Sequence, residues 1–326
     1  MADVKITFAC GPYDRMEALK SGAVRPEGID LQFVSIRSPR QIFDKMGKRN
    51  AEFDSSEFSA SEYISQYDRG DCQFVALPVF PSICFRHSFV YYNRRAGIRK
   101  PKDLEGKRIG TPLYTQTAAV WIRGILTHEY GVDFSRVHWV QGAMEKAGTH
   151  GTPSAPELLK PVKIEKAPPD TSLSDMLESG AIDASLGSRG PDPLSDYPSV
   201  ARMFPDYRAV ERDYFRRTRI CPIMHTVVLK KEIYDKNPWV AESLYRAFED
   251  SRRRALEDMK YPGALRFMLP WLGDDLDEIE DVFGGDPWPY GLEAQRPTME
   301  ALVQYLAEQN FIKAKIPLEK LFVKVS

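Results

Sequence analysis

Short apolar runs alternate with helical stretches along this chain in two series with a late return, and that order restricts the fold more than any other feature. Val4-Lys-Ile-Thr-Phe-Ala, Gly28-Ile-Asp-Leu-Gln-Phe-Val and Phe53-Asp-Ser-Ser-Glu-Phe-Ser read as strands of the first series. Gln73-Phe-Val-Ala-Leu-Pro-Val-Phe and Cys84-Phe-Arg-His-Ser-Phe-Val-Tyr-Tyr read as two more. A second series opens at Pro101 and runs through Lys107-Arg-Ile-Gly, Val137-His-Trp-Val, a helix at Leu173 and Ala181-Ile-Asp-Ala-Ser-Leu. Ile223-Met-His-Thr-Val-Val-Leu then reads as a strand returning to the first series, before a charged helix from Pro238 to about Met259 and further helices near Leu276 and over Thr298–Glu308. This order predicts an α/β fold with mostly parallel sheets in two lobes joined by two hinge strands. Lobe 1 takes residues 1–90 and 223–326, and lobe 2 takes 91–222. Ligands of such folds sit outside the carboxyl ends of strands, here in the cleft between the lobes.

Composition removes several partner classes. The net charge is −1, so no basic field points to nucleic acid. No run of about eighteen apolar residues occurs, which argues against a membrane-spanning helix. Asp3 and Lys5 interrupt the place where a signal peptide needs an apolar core, and the expected location is the cytoplasm. Cys10, Cys72, Cys84 and Cys221 show no CxxC or metal-type spacing and read as reduced thiols. A homo-oligomer is left open, because no interface pattern stands out.

The stretch from Lys107 to Leu126 reads as strand, hydroxyl-rich turn and helix, with the helix opening near Thr115 and Gln116. The first N–H groups of a helix have no internal partner and carry the positive end of its dipole, which makes an anion site. Thr115, Gln116 and Thr117 add neutral donors there. No Gly-rich phosphate loop is present, so a carboxylate is the simpler guest. The same residues also read as an ordinary capped helix.

Taken together these segments resemble the 4,5-dihydroxyphthalate decarboxylase family, built on the type II periplasmic-binding-protein fold. The resemblance rests on Tyr13-Asp-Arg15, Gly22–Leu31, Phe53-Asp-Ser-Ser-Glu-Phe-Ser, Phe85-Arg-His-Ser88, Gly110–Leu126, Pro222-Ile-Met-His225 and Tyr290–Arg296. It implies a cofactor-independent decarboxylase of a hydroxylated aromatic carboxylic acid, similar to conversion of 4,5-dihydroxyphthalate to protocatechuate and CO2. Ile83 and Gln295 depart from the family pattern, which places Arg and Asn there, and the loop from Gly142 to Lys163 agrees poorly. These departures bear on how many carboxylates the substrate carries. The competing reading is a cytoplasmic solute-binding protein that holds a small carboxylate without catalysis.

Decarboxylation of an aromatic acid needs a grip on the carboxylate, an acid to protonate the ring carbon, and electron supply from a ring substituent. A His suits the acid. His87 and His225 are the candidates, each expected on a hinge strand, with Phe85, His87 and Phe89 on one face and Arg86 and Ser88 on the other. Glu57 is expected to act as a base or to order a His, and Tyr13 to hydrogen-bond a ring substituent; Arg15 is expected to bind substrate or to pair with Asp14. Arg86 either clamps a carboxylate or braces the hinge. Arg123 either leans back toward the anion site or binds the neighbouring lobe. Trp121 either stacks on the ring or packs in the core, and Arg296 either reaches the cleft or pairs at the surface. His128, His138 and His150 read as structural or solvent-facing. A metal held by His87, His225 and Glu57 is the chemical competitor, although no HxH, HxxxH or HExxH spacing supports it.

Overall fold

The computed structural model describes residues 3–47, 50–148, 150–151 and 155–325. The first part of the chain forms β1 (Val4–Cys10), α1 (Glu17–Lys20), β2 (Ile29–Ser35), α2 (Pro39–Met46), β3 (Ser55–Ser59), α3 (Ala60–Arg69) and β4 (Phe74–Ile83). The middle part forms β5 (Val90–Asn93), β6 (Arg108–Thr111), α4 (Thr117–Tyr130), β7 (His138–Gln141), β8 (Ile164–Lys166), α5 (Leu173–Ser179), β9 (Ala184–Leu186), β10 (Val200–Arg202) and α6 (Tyr207–Thr218). The last part forms β11 (Ile223–Lys230), α7 (Lys231–Lys236), α8 (Trp239–Lys260), α9 (Leu272–Phe283), α10 (Arg296–Glu308) and α11 (Leu318–Leu321).

Two sheets result. The first is five-stranded in the order β2-β1-β3-β11-β4, and the second six-stranded in the order β10-β5-β9-β6-β7-β8. The late strand β11 inserts antiparallel between β3 and β4, as the return to the first series predicts. Because β1 is parallel to β3 and both β3 and β4 oppose β11, the carboxyl ends of β1, β3 and β4 share one edge with the amino end of β11. Helices cover both faces of this sheet, so its strands bury apolar side chains on either side. Phe8 of β1 meets Phe33 of β2 and Phe248 of α8 edge to face, with centroids 5.4 and 5.0 Å apart.

One expected strand is absent. Cys84–Tyr92 does not continue as a single hinge strand. The ladder of β4 with β11 ends at the pair Ile83–Ile223, Arg86 leaves the extended region (φ −127°, ψ −3°), and His87–Phe89 form a 3-10 turn before β5 joins the other sheet. The chain changes ladder partners here, and a buried extended segment without a partner would leave its backbone N–H and C=O groups unpaired. The tail helix α10 packs on both α3 and α4. Gly124 permits that approach, since an added Cβ would stand 2.1 Å from the Tyr305 ring.

Candidate functional site

The converging strand ends of the first sheet face the start of α4 and the segment after β9 across a cavity of about 240 Å³. Ser59, Ser82, Arg86 and His225 line it from the first sheet's side, and Gln116 and Thr117 from the other. The position obeys the rule that ligands of open α/β sheets bind beyond strand carboxyl ends.

His225 lies where the register of β11 against β4 shifts, between Ile223 and Val227. Such a bulge bends the strand locally and recurs beside functional sites. The ring packs edge-on to Phe43, with centroids 4.8 Å apart, and its Nδ1 lies 3.0 Å from Oε2 of Glu57. Glu57, in the middle of β3, is fully buried. Its other contacts are short and directional: the Gly11 N–H donates to Oε1 at 2.6 Å and the Tyr13 hydroxyl donates to Oε2 at 3.0 Å. Burial, and then the Glu57 carboxylate, push the Tyr13 phenol upward, so it stays protonated and donating. The carboxylate therefore holds His225 by Nδ1, which fixes the tautomer and leaves Nε2 for a ligand.

Arg86 supplies the positive charge. It is 6% exposed, and among the described residues its side chain makes no hydrogen bond or ion pair; the Phe89 ring lies 5.0 Å away as a cation–π partner. Burial lowers its pKa, which expresses the cost of a charge kept from water without a direct ion pair; Glu211 offsets that cost only by attraction from beyond contact distance. An anion in the cleft would relieve that cost. Arg40 also lines the cavity, but Glu62 and Asp44 already hold it at 2.5 and 2.8 Å.

The second wall is built from neutral donors. Gln116 is the N-cap of α4, and its Nε2 donates to Ser188 Oγ at 2.8 Å and sits 3.0 Å from His150 Nε2. Thr117 bridges the two walls, its hydroxyl lying 3.0 Å from Ser59 Oγ and 2.9 Å from Ser61 Oγ. Thr115 stands just behind, its carbonyl accepting from Ser61 Oγ at 3.0 Å. Gly187 lets the chain after β9 approach this turn, because a Cβ there would meet Pro112 at 2.6 Å.

The structure thus gathers His225, Glu57, Tyr13, Arg86, Gln116 and Thr117 around one cavity and sends other candidates elsewhere. His87 is 2% exposed, out of the cavity wall, with its ring edge-on to Phe204 and Tyr214. Both its ring nitrogens lack hydrogen bonds, and burial, then Arg217, push its pKa down to about 4. His87, His225 and Glu57 therefore do not assemble as one ligand set, and no group of three His, Cys, Asp or Glu side chains among the described residues is placed to hold a metal. Trp121 is core: it is fully buried and donates Nε1–H to the Ile223 carbonyl at 2.8 Å. Arg15 is tied to Asp14 at 2.9 Å and to the Pro81 carbonyl, with its guanidinium over Tyr13 and Trp288. Arg296 pairs with Glu293, Glu300 and Glu319 at the surface. Arg123 lies further along α4, in a different groove. Ile83 is buried opposite Ile223 rather than in the cavity wall, and Gln295 donates to the Pro289 carbonyl at 2.9 Å.

Sequence reasoning missed Arg40, His150, Ser188 and Arg189, all of which line the cavity. Ser188 and Arg189 follow the carboxyl end of β9, so the strand-end rule offered a signal for them; His150 sits in an irregular loop and offered none.

Comparison with known proteins bears on this arrangement. Residues 84–151 match the family model described as NMT1/THI5 like. The 4,5-dihydroxyphthalate decarboxylase of Comamonas testosteroni is 36% identical over 292 residues, covering 89% of this chain and 88% of that protein. The enzyme of the same name from Pseudomonas putida is 36% identical over 217 residues, covering 66% of this chain and 83% of that one. Among solved structures, the periplasmic aliphatic sulphonate binding protein SsuA of Escherichia coli superposes with a TM-score of 0.53 at 12% identity, covering 99% of this chain and 92% of that chain. At that identity the likeness establishes the two-lobed binding-protein fold alone.

Proposed function

From the premise that this chain belongs to the 4,5-dihydroxyphthalate decarboxylase family, we propose that it removes CO2 from a hydroxylated aromatic carboxylic acid, without a cofactor, in the cleft that holds His225. The observation that carries the reading is a buried arginine with no ion pair among the described residues, Arg86, in the same cavity wall as a histidine held by a buried carboxylate.

In this mechanism Arg86 pairs with a substrate carboxylate, a charge-assisted contact with a planar fork. The α4 N-terminus, Gln116 and the cleft serines position the remaining polar groups. A ring hydroxyl feeds electron density toward the carbon that bears the carboxylate and makes it basic, and the electron pair of the ring–carboxylate bond returns to the ring when that carbon is protonated. Nε2–H of His225 delivers a proton to that carbon as CO2 departs, and the imidazole regains a proton from solvent after product release. Glu57 compensates the charge of the protonated ring through Nδ1, and Tyr13 and the Gly11 N–H keep Glu57 in place. General acid catalysis of this kind contributes about 10²–10⁴-fold. The four free cysteines, two of them buried, support a reducing, cytoplasmic setting.

The test is to incubate chelator-treated protein with 4,5-dihydroxyphthalate and related hydroxybenzoates while following CO2 release and the ultraviolet spectrum. Turnover without metal is the expected result. Tight binding with no CO2 would overturn the decarboxylase reading in favour of a binding protein.

A further inference from the structure

Arg123 of α4 is a second arginine kept from water without a counter-charge. It is 1% exposed, and among the described residues its partners are neutral. Nε donates to Gln309 Oε1 at 2.7 Å, Nη2 donates to the Tyr114 carbonyl at 3.0 Å, and Nη1 has no partner. Arginine is almost never fully buried unless it is paired, because an uncompensated charge in the interior is costly. The surroundings are aromatic. The guanidinium lies 3.9 Å from the Tyr114 ring centroid and 5.6 Å from that of Trp139, and Phe134 stacks on Trp139 at 5.8 Å.

A groove of about 710 Å³ is lined by these residues and by Lys160 and Lys163. Both lysines are exposed and make no ion pair among the described residues. The two carboxylates of the groove are already engaged: Asp133 accepts from the Ser135 N–H at 2.9 Å, and Glu308 pairs with His128 at 2.7 Å. Positive charge is thus in excess, beside the half-buried Phe134 ring.

We infer that this groove is a second binding site, distinct from the cleft, for a small aromatic carboxylate. The ring lies against the half-buried Phe134 at the mouth of the groove, with the buried Trp139 stacked behind it, an arrangement aromatic quadrupoles favour. The carboxylate replaces the Gln309 amide oxygen on Arg123, exchanging a neutral acceptor for a charged one that the guanidinium fork binds more strongly. Lys160 and Lys163 draw the anion in. Arg123 also holds the carbonyl of Tyr114, which shares the turn between β6 and α4 with the cleft residue Gln116.

Benzoate is the probe, and tryptophan fluorescence of the full chain is the readout. Trp139 lines the groove, whereas no tryptophan lines the cleft among the described residues. Benzoate is expected to change the fluorescence of the native chain and of Arg86→Gln, and to lose that effect in Trp139→Phe. Lys160→Ala combined with Lys163→Ala weakens binding about tenfold, and Arg123→Gln about a hundredfold. Absence of a Trp139-dependent change overturns the site, as does a change untouched by the lysine pair and by Arg123→Gln. A signal lost in Arg86→Gln would assign it to the cleft and overturn the groove equally. Should Arg123→Gln fail to fold, the two exposed lysines still decide.

Discussion

His225 and His87 stand at the two places where the chain passes between the sheets, yet their surroundings are opposite. His225 has a carboxylate on Nδ1, a cavity beside it and a side chain 16% exposed. His87 has two unpartnered nitrogens among aromatic rings, and its nearest carboxylate oxygen, on Glu211, lies 3.9 Å away. One environment orients a proton donor toward a ligand; the other pushes protonation down to about pH 4. Residue type placed both on the candidate list, and only the partner groups separate them.

Activity divides the two most sharply. His225→Gln and Glu57→Gln are each expected to lower kcat by about 10²–10⁴-fold in a CO2-release assay, whereas His87→Gln stays within about threefold of native. Equal losses at His225 and His87 would break the contrast. Next comes Arg86→Gln, expected to lower kcat/KM about a hundredfold by removing a buried charge-assisted contact, seen in steady-state kinetics across substrate concentration.

Stability against pH sharpens the contrast from the other side. The folded His87 titrates at about 4 against an ordinary 6.5, so the unfolded chain binds the proton more readily between those values. Stability is therefore lost as pH falls from 6.5 to 4, by up to about 3 kcal/mol. Glu211, whose carboxyl burial raises to about 7 from 4.5, acts oppositely: its contribution is full below pH 4.5 and is lost as pH rises to 7. His87→Phe is thus expected to flatten the acid limb of a melting-temperature profile and to leave the Glu211 limb. An unchanged acid limb would show that His87 is not held neutral. The smallest effect belongs to Arg296→Ala, expected to leave both the denaturant midpoint and kcat close to native, since its pairs lie at the surface.

The architecture was largely legible in the chain. Hydrophobic period and turn residues report local backbone state, which is why the strand–turn–helix at 107–126 lies where it was read, with Gln116 capping α4. The late strand Ile223–Lys230 returned to the first sheet as its apolar run implied. The ordered motifs that resemble the decarboxylase family agree with the 36% identity to the Comamonas enzyme. The strand expected over Cys84–Tyr92 failed because its residues are strand-like while its ladder partner ends at Ile223.

What the sequence determined by itself was therefore the order of strands and helices, the two-lobed class of fold and the chemical types available to a site. The tertiary structure alone decided which of those types meet. Gly11, Glu57 and His225 are remote in sequence and become one hydrogen-bonded unit only because the carboxyl ends of β1 and β3 and the amino end of β11 lie at the same sheet edge. Arg86 and Arg123 differ from Arg15 and Arg296 by what surrounds the charge, and desolvation and counter-ions are properties of the packed molecule, with no local pattern to announce them.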